Sequence, residues 1–565
     1  MTSLATTFSF VVLLLAATVN FTHACPSCRH VGRNDAKASQ LINAAIESLG
    51  GHRALSNLQG VTYQSNDVFR VRTIMQNYHL FETDRYVVSS GLQNVSFSYQ
   101  DQGFSQRIDR SFVSSDLFIF ITPELAPRNF SMVAKSGSDG FVCFTQGSNN
   151  VFLPRNQSYG YADAVLTEYL LLQALKLSPR LLLEVDKHDP TATTVDFREA
   201  TLPAVVFDPE TNLPLLIRAF EDHPILGRTT NDLQLFNYTQ VDGLLFPRTQ
   251  KIIYGDEAIL EETIVSQIYV NPQFEQGHFD GLALNETKTT PSPPRADPKY
   301  GHAEVNEYWS NTLWAGAYTG SLKFLNVTHP AEDLPGAHHI VFLNNTNFAQ
   351  LILEFKESVI VFEAPPHQSE LIIQWVKENL RKPISHLWVS HHHHDHSLDV
   401  ARFVGIGASV IIPEMAASYW SKIPGIKLVT FTEDKPYIYS DGKMQARFLW
   451  QPDTPHSADW TYAIVTTACP VTNTSMLAYT ADAVSTNFES DSNLADSWLL
   501  QAMSDGLSKN TMVVPAHGWP ISFSQVCKQL GSPYPDFNST SFVTGGNICL
   551  DTTKERPFRG FSLRR

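Results

Sequence analysis

The run His391-His392-His393-His394-Asp395-His396 constrains this chain more than any other part of it. It follows a short apolar stretch, 384–389, that reads as a buried strand. Alternate side chains of an extended loop point the same way, so His391 and His393 can converge on one point. Asp395 and His396 then turn towards a second point beside it. Imidazole with carboxylate is a donor set for zinc, iron or manganese. A low-complexity histidine tract is the bland alternative. The internal position of the run and its aspartate in register favour H-x-H-x-D-H.

Three residues downstream share that context. His456 lies beyond an apolar strand ending at Trp450, Asp482 closes the apolar run 477–481, and His517 follows 512–516. A site on one sheet edge needs its ligands at strand-to-loop exits, and all three are there.

In this order the motifs resemble the metallo-β-lactamase-fold hydrolases, over roughly 313–519. The resemblance implies an αβ/βα sandwich with one metal on His391, His393 and His456 and another on Asp395, His396 and His517. Asp482 would bridge both. It implies zinc, two ions per chain, with iron or manganese as substitutes, and a metal-bridged hydroxide that cleaves an ester, lactone, amide or lactam. Asp395 and Asp482 become the catalytic carboxylates, one orienting the nucleophile and carrying a proton, the other holding the two cations together. The chain departs from the family where Glu363 replaces an aspartate at the end of an early strand. It departs again where Leu398-Asp399, Pro455 and Ala481 stand at glycine positions.

Other candidates take plainer readings. His338 and His339 read as packing, and His386 as structural or as a hydrogen-bond partner to a ligand. His392 and His394 alternate away from the metals, with a substrate-facing role as the rival reading. His367 and Tyr479 fall near the expected cleft by position alone, and Tyr308, Trp309, Trp314 and Tyr318 read as packing. Two other functions compete: a mononuclear iron oxygenase on the same fold, and a hydrophobe-binding carrier with a vestigial metal site. His396 and His517 beside Asp395 favour the dinuclear hydrolase, and the complete ligand set opposes the carrier.

With 565 residues, the chain is too long for one ordinary domain. An α+β two-domain layout is expected, with the catalytic sandwich at 302–530 behind a β-rich domain at 29–276. The β-rich part opens with helical spacing over 35–49, stopped by Gly50-Gly51. Short strand-like runs follow from 61 to 116, then a helix over 162–183. Strands are expected at 193–197, 204–207, 215–220, 233–239, 249–254 and 264–270, with turn signals at 208–212 and Asp242-Gly243. This part resembles lipoprotein-carrier-like domains, which would imply a concave apolar surface for a lipophilic group, or a scaffold. The stretch 277–301 holds Pro291, Pro293, Pro294 and Pro298 and reads as a linker. Past it a hairpin (349–355, 359–362), a helix (369–380), the strand before the histidines, a helix (398–404) and a strand (409–412) alternate as an α/β sandwich would. Residues 531–565 form an extension.

The formal net charge of −15, with no long basic block, argues against a nucleic-acid partner; a small-molecule substrate, lipophilic if the carrier-like domain serves it, is expected instead. The apolar run 8–19 and Thr22-His23-Ala24 read as a secretory signal over 1–24, although no Lys or Arg precedes the run. The run is short for a bilayer, so stable membrane insertion is not expected. N-x-S/T sequons at Asn94, Asn129, Asn156, Asn237, Asn285, Asn326, Asn344, Asn473 and Asn538 fit a secreted, extracellular glycoprotein. Disulfides are expected in that compartment: a local one within Cys25-Pro-Ser-Cys28, and Cys527 with Cys549, leaving Cys143 and Cys469.

Overall fold

The computed structural model describes residues 35–280, with breaks of which the longest is 154–179, and residues 321–538, with short breaks at 344, 366–367, 472 and 487–491. The expected signal, residues 162–179 of the expected helix, the linker prolines, the early aromatic quartet, His367, Cys25, Cys28 and Cys549 lie outside the described residues. The end of that expected helix is not helical: Arg180–Leu182 is a strand, paired with Thr193–Asp196. Among the described residues no helix is long and apolar enough to cross a membrane.

Residues 60–270 build one large antiparallel sheet. The helix Asp35–Leu49 lies on it because Ile42, Ala45, Ile46 and Leu49 share one helical stripe. That stripe packs on Val61, Tyr63, Phe97, Leu244, Phe246 and Ile268. The helix stops as expected: the Gly51 amide donates to the Ile46 carbonyl at 2.8 Å. Gly50 has φ +131°, and a Cβ there would sit 2.3 Å from the Gly243 carbonyl oxygen, so the helix end and the Asp242-Gly243 turn touch backbone to backbone. Both turn residues have positive φ, 49° and 85°, the two-residue hairpin geometry that joins Gly227–Val241 to Leu244–Tyr254. The expected single strand at 264–270 is two, Ala258–Ile264 and Gln267–Val270. Pairing changes at the break, where the Ser266 amide turns to the Gln64 carbonyl at 2.8 Å. Away from the helix-covered core the sheet turns polar. Gln93 donates to Thr263 Oγ1 at 3.4 Å and accepts from Arg110 Nε at 2.5 Å, and Arg218 pairs with Asp232 at 2.6 Å.

Residues 321–538 form two sheets packed face to face, with helices outside both. The seven-stranded sheet runs in chain order from Leu325–Thr328 to Leu428–Phe431, and its last four strands are parallel. The six-stranded sheet runs from Tyr437–Ser440 to Ile521–Ser522. Strand Val359–Phe362 shows why the layers form. Ile360 and Phe362 face the second sheet, while Val359 and Val361 face the helix Ser369–Trp375 and its neighbours. Period-two alternation with apolar side chains on both faces is the mark of a strand buried on both sides. Phe362, Trp388, Phe448 and Tyr479 meet across the inter-sheet core at ring separations of 4.7–5.7 Å.

The expected hairpin 349–355/359–362 is present as Asn345–Glu354 and Val359–Phe362. The helix expected at 398–404 is Val400–Gly405, preceded by a short turn of helix, His394–Ser397, inside the histidine run itself. The chain stays packed beyond Leu530: the Tyr534 hydroxyl donates to the Leu507 carbonyl at 2.8 Å and its ring meets Phe523. Cys469 and Cys527 are free thiols, and the expected partner of Cys527 lies outside the described residues. The turn residue Ile225, fully buried, joins Ile252 in the apolar layer that the second half forms between its seven-stranded sheet and its helices.

Candidate metal centre

Four strand exits meet at one edge of the sandwich. Strand Ile384–Trp388 leads to His391, His393, Asp395 and His396, and Met444–Trp450 leads to His456. Met476–Tyr479 leads to Asp482, and Thr511–Val514 leads to His517. All seven expected ligands come together, and their side chains are buried, that of His456 being 1% exposed.

They fall into two donor groups. In the first, His391 Nε2 lies 2.9 Å from His393 Nδ1 and 3.0 Å from His456 Nε2. Asp482 Oδ2 lies 3.0 Å from His456 Nε2 and 3.6 Å from His391 Nε2. A tetrahedron around zinc, with bonds of about 2.0–2.1 Å, has edges of about 3.3 Å, and these separations straddle that value. In the second group Asp482 Oδ1 lies 2.9 Å from His396 Nε2 and 3.1 Å from His517 Nε2. Asp395 Oδ2 sits 3.3 Å from His517 Nε2 and 3.4 Å from His396 Nε2. Asp482 therefore splits its two oxygens between the groups. His396 Nε2 and Asp482 Oδ1 are close enough to pair but are not aligned as donor and acceptor, as two ligand atoms aimed at a shared centre would be. Donor type, spacing and alignment all fit a pair of divalent cations.

The surrounding charges divide the histidines. Burial, then the neighbouring His396, His393 and His456, push His391 well below the usual imidazole range, and burial with His456 does the same to His393. Both offer lone pairs. Burial also acts against the charged form of His396 and His517, but Asp482 and Asp395 override it. His396 is held well above the ordinary range and His517 is raised to about 9. Burial works against the Asp482 carboxylate too, yet His396 and His517 hold it well below the usual carboxylate range.

Glu363 follows the strand Val359–Phe362 directly. It is fully buried at φ +67°, a conformation rare for a side chain with a Cβ. Its Oε1 sits 3.2 Å from His396 Nδ1, and its Oε2 accepts from the Ser390 amide at 3.1 Å. The longer carboxylate thus sets its charge beside His396 and pins the start of the histidine loop. Gln350 holds Glu363 in that turn by donating to its carbonyl at 2.8 Å. Ser390 Oγ lies 2.9 Å from His391 Nδ1, which leaves Nε2 facing the site. Ala481 takes φ +45° to present Asp482.

The other described candidates stand away from the two donor groups. His392 points away from the donor groups, as its alternation implied, and is buried rather than open to a substrate: its Nδ1 lies 2.9 Å from Asp459 Oδ1 and its ring meets Tyr419. The side chain of His394 lies outside the described residues. Tyr479 is a core residue whose hydroxyl donates to the Ala349 carbonyl at 3.0 Å. His386 reaches Ser385 and Tyr439, not a ligand, and His338 pairs with Glu354 at 3.3 Å. Sequence reasoning missed Ser390, Phe348, Ser457 and Asp459. Phe348 packs edge-on against His396 and His517 at 4.9 and 5.2 Å. The bulge in its strand, which sends it there, has no signature in the local residue pattern.

No protein-family model matches the chain, and no curated protein matches it. Among solved structures it is similar to a metallo-β-lactamase from Pontibacter korlensis, with 18% identity over 37% of this chain and 97% of that one, at a TM-score of 0.29. A metallo-β-lactamase from Hirschia baltica is similar at 16% identity, covering 37% and 99%, with a TM-score of 0.28.

Proposed function

We propose that this chain is a metal-dependent hydrolase that holds two divalent cations, zinc by donor preference, and cleaves an ester, lactone, amide or lactam in a small molecule. One observation carries the reading: Asp482 turns Oδ2 to a three-histidine group and Oδ1 to an Asp-His-His group, the arrangement of a bridging carboxylate. His391, His393 and His456 would hold one cation, and Asp395, His396 and His517 the other. Bound there, the pair would supply Lewis acidity, polarising a carbonyl and lowering the pKa of a coordinated water to about 7.

The chain's own residues supply the rest. Asp395 is buried, with Oδ2 towards His517 and Oδ1 left to accept from a nucleophilic water or to pass a proton to a leaving group. Glu363 places a buried carboxylate beside the ring of His396, behind the Asp-His-His half. Phe348 closes the wall beside His396 and His517 and keeps bulk water from that side. We further propose that the enzyme is secreted and that residues 29–276 and 302–530 are separate domains. Exposed asparagines in four of the sequons, Asn94, Asn237, Asn473 and Asn538, support export.

The test is a panel of lactones, esters, amides and β-lactams assayed with and without a chelator. Turnover of at least one class should vanish with chelator, return with zinc, and be abolished by His391→Ala and by Asp482→Ala. Unchanged rates in both variants would sink the proposal.

A further inference from the structure

The residue between the first two expected ligands is tied to the residue three beyond the third. His392 Nδ1 lies 2.9 Å from Asp459 Oδ1, and both side chains are buried, each 1% exposed. A carboxylate can only accept, so His392 carries its proton on Nδ1. Ser457, the neighbour of His456, also donates to Asp459 Oδ1, and its Oγ lies 3.4 Å from His392 Nδ1. Two residues on, Thr461 donates to the Ser390 carbonyl from its amide at 2.7 Å and from its hydroxyl at 2.8 Å. The loop that bears Asp459 is itself stiff. Its ends meet where the Gln451 amide donates to the Trp460 carbonyl at 3.2 Å, and the Trp450 indole donates to the Ala458 carbonyl at 2.9 Å. Gln451 also donates through Nε2 to Ser497 Oγ at 2.8 Å, tying the loop to the helix Ser492–Ser504.

The contacts of His392 with Asp459 and Ser457, and of Thr461 with the Ser390 carbonyl, join two loops, one carrying His391 and His393 and the other carrying His456, and none of them uses an atom that faces the site. We propose that Asp459, assisted by Ser457, is a positioning residue for the three-histidine half: by gripping His392 it locks the two ligand loops in register. The inference rests on the hydrolase reading only in needing a cation at that half. Its physical content is preorganisation. Three imidazoles from two loops must meet within about 3 Å, and a buried charge-assisted hydrogen bond behind them removes the freedom that binding would otherwise have to freeze.

Zinc affinity, measured by competition with a chromophoric chelator on the full chain, tests this apart from turnover. Loss of such a supporting contact weakens metal binding by about 10–100-fold. Asp459→Ala should show that loss. Asp459→Asn, which still accepts from His392, should lose less. The double variant Asp459→Ala/His392→Ala should bind no more weakly than the weaker single variant, since both remove one contact. The melting temperature of each zinc-free variant separates folding from positioning. If Asp459→Ala does not fold, Asp459→Asn and Ser457→Ala are read in the same titration. Unchanged zinc affinity in the folded variants, or multiplicative losses in the double variant, overturns the positioning role. A wild-type chain that binds no zinc overturns the hydrolase reading and this one together.

Discussion

Cation binding here should release protons, and the structure says which ones. At pH 7 a group raised to about 9, as His517 is, carries its proton in about 99% of molecules. His396 is also held well above its ordinary range by Asp482, Asp395 and Glu363. A cation must displace both protons, because only a neutral imidazole can ligate. His391 and His393, pushed below the ordinary range, contribute none. Loading the full site at pH 7 should therefore release about two protons per chain from these groups. The sign for affinity follows: it rises with pH, by up to about tenfold per unit for each proton displaced, and the His517 part flattens above about pH 9. Calorimetric titration of zinc in buffers of different ionisation enthalpy gives the number directly. His517→Ala should release at least about one proton fewer than wild type. A wild-type release below one proton, or the same release in His517→Ala, would refute the charge assignment.

Other outcomes follow from the same structure. Burial raises Asp505 to about 6 although Tyr462 and Gln501 donate to it. The native state then holds this proton more tightly than the unfolded chain, so stability falls as pH rises from about 4 to about 6, by up to about 3 kcal/mol. Asp505→Asn should remove that loss, and a denaturation midpoint at pH 7 no higher than wild type would contradict it. Burial lowers His339 to about 4, so its contribution runs the other way, lost as pH falls from 6.5 towards 4. His339→Gln should flatten the acid limb of the stability curve by about 3 kcal/mol, and an unchanged limb would count against it. Gly518 sits at φ +138°, where a Cβ would lie 2.0 Å from Thr486 Oγ1. Gly518→Ala should break the hydrogen bond from the Trp519 amide to Thr486 (2.7 Å), displace His517 and lower zinc occupancy; full occupancy would show that the turn can adjust.

The candidate ligands were legible because they follow apolar strands, and strand exits are local in sequence. The spacing within His391–His396 separated His391 and His393 from Asp395 and His396, while the places of His456, His517 and Asp482 came from the family resemblance; the short helix His394–Ser397 inside that run was not expected. Glu363 was visible as a carboxylate at a strand end, but its role turns on a positive φ that no residue pattern announces. Asp459 was invisible for another reason. Its partner is far away in the chain, and the neighbouring His392 looked like a spectator because alternation shows only that it points away from the site, not what it meets there. Strand boundaries in the first sheet moved where pairing partners changed, as at Ser266, since a change of partner is a tertiary event.

Metal content tests the central claim most directly. Purified chain, equilibrated with zinc at pH 8 and freed of excess, should hold about two zinc ions by elemental mass spectrometry. Asp482→Ala, which removes the carboxylate shared by both groups, should fall below one. A wild-type chain holding one tightly bound iron or no metal, or an Asp482→Ala variant that keeps two zinc ions, would contradict a bridged pair.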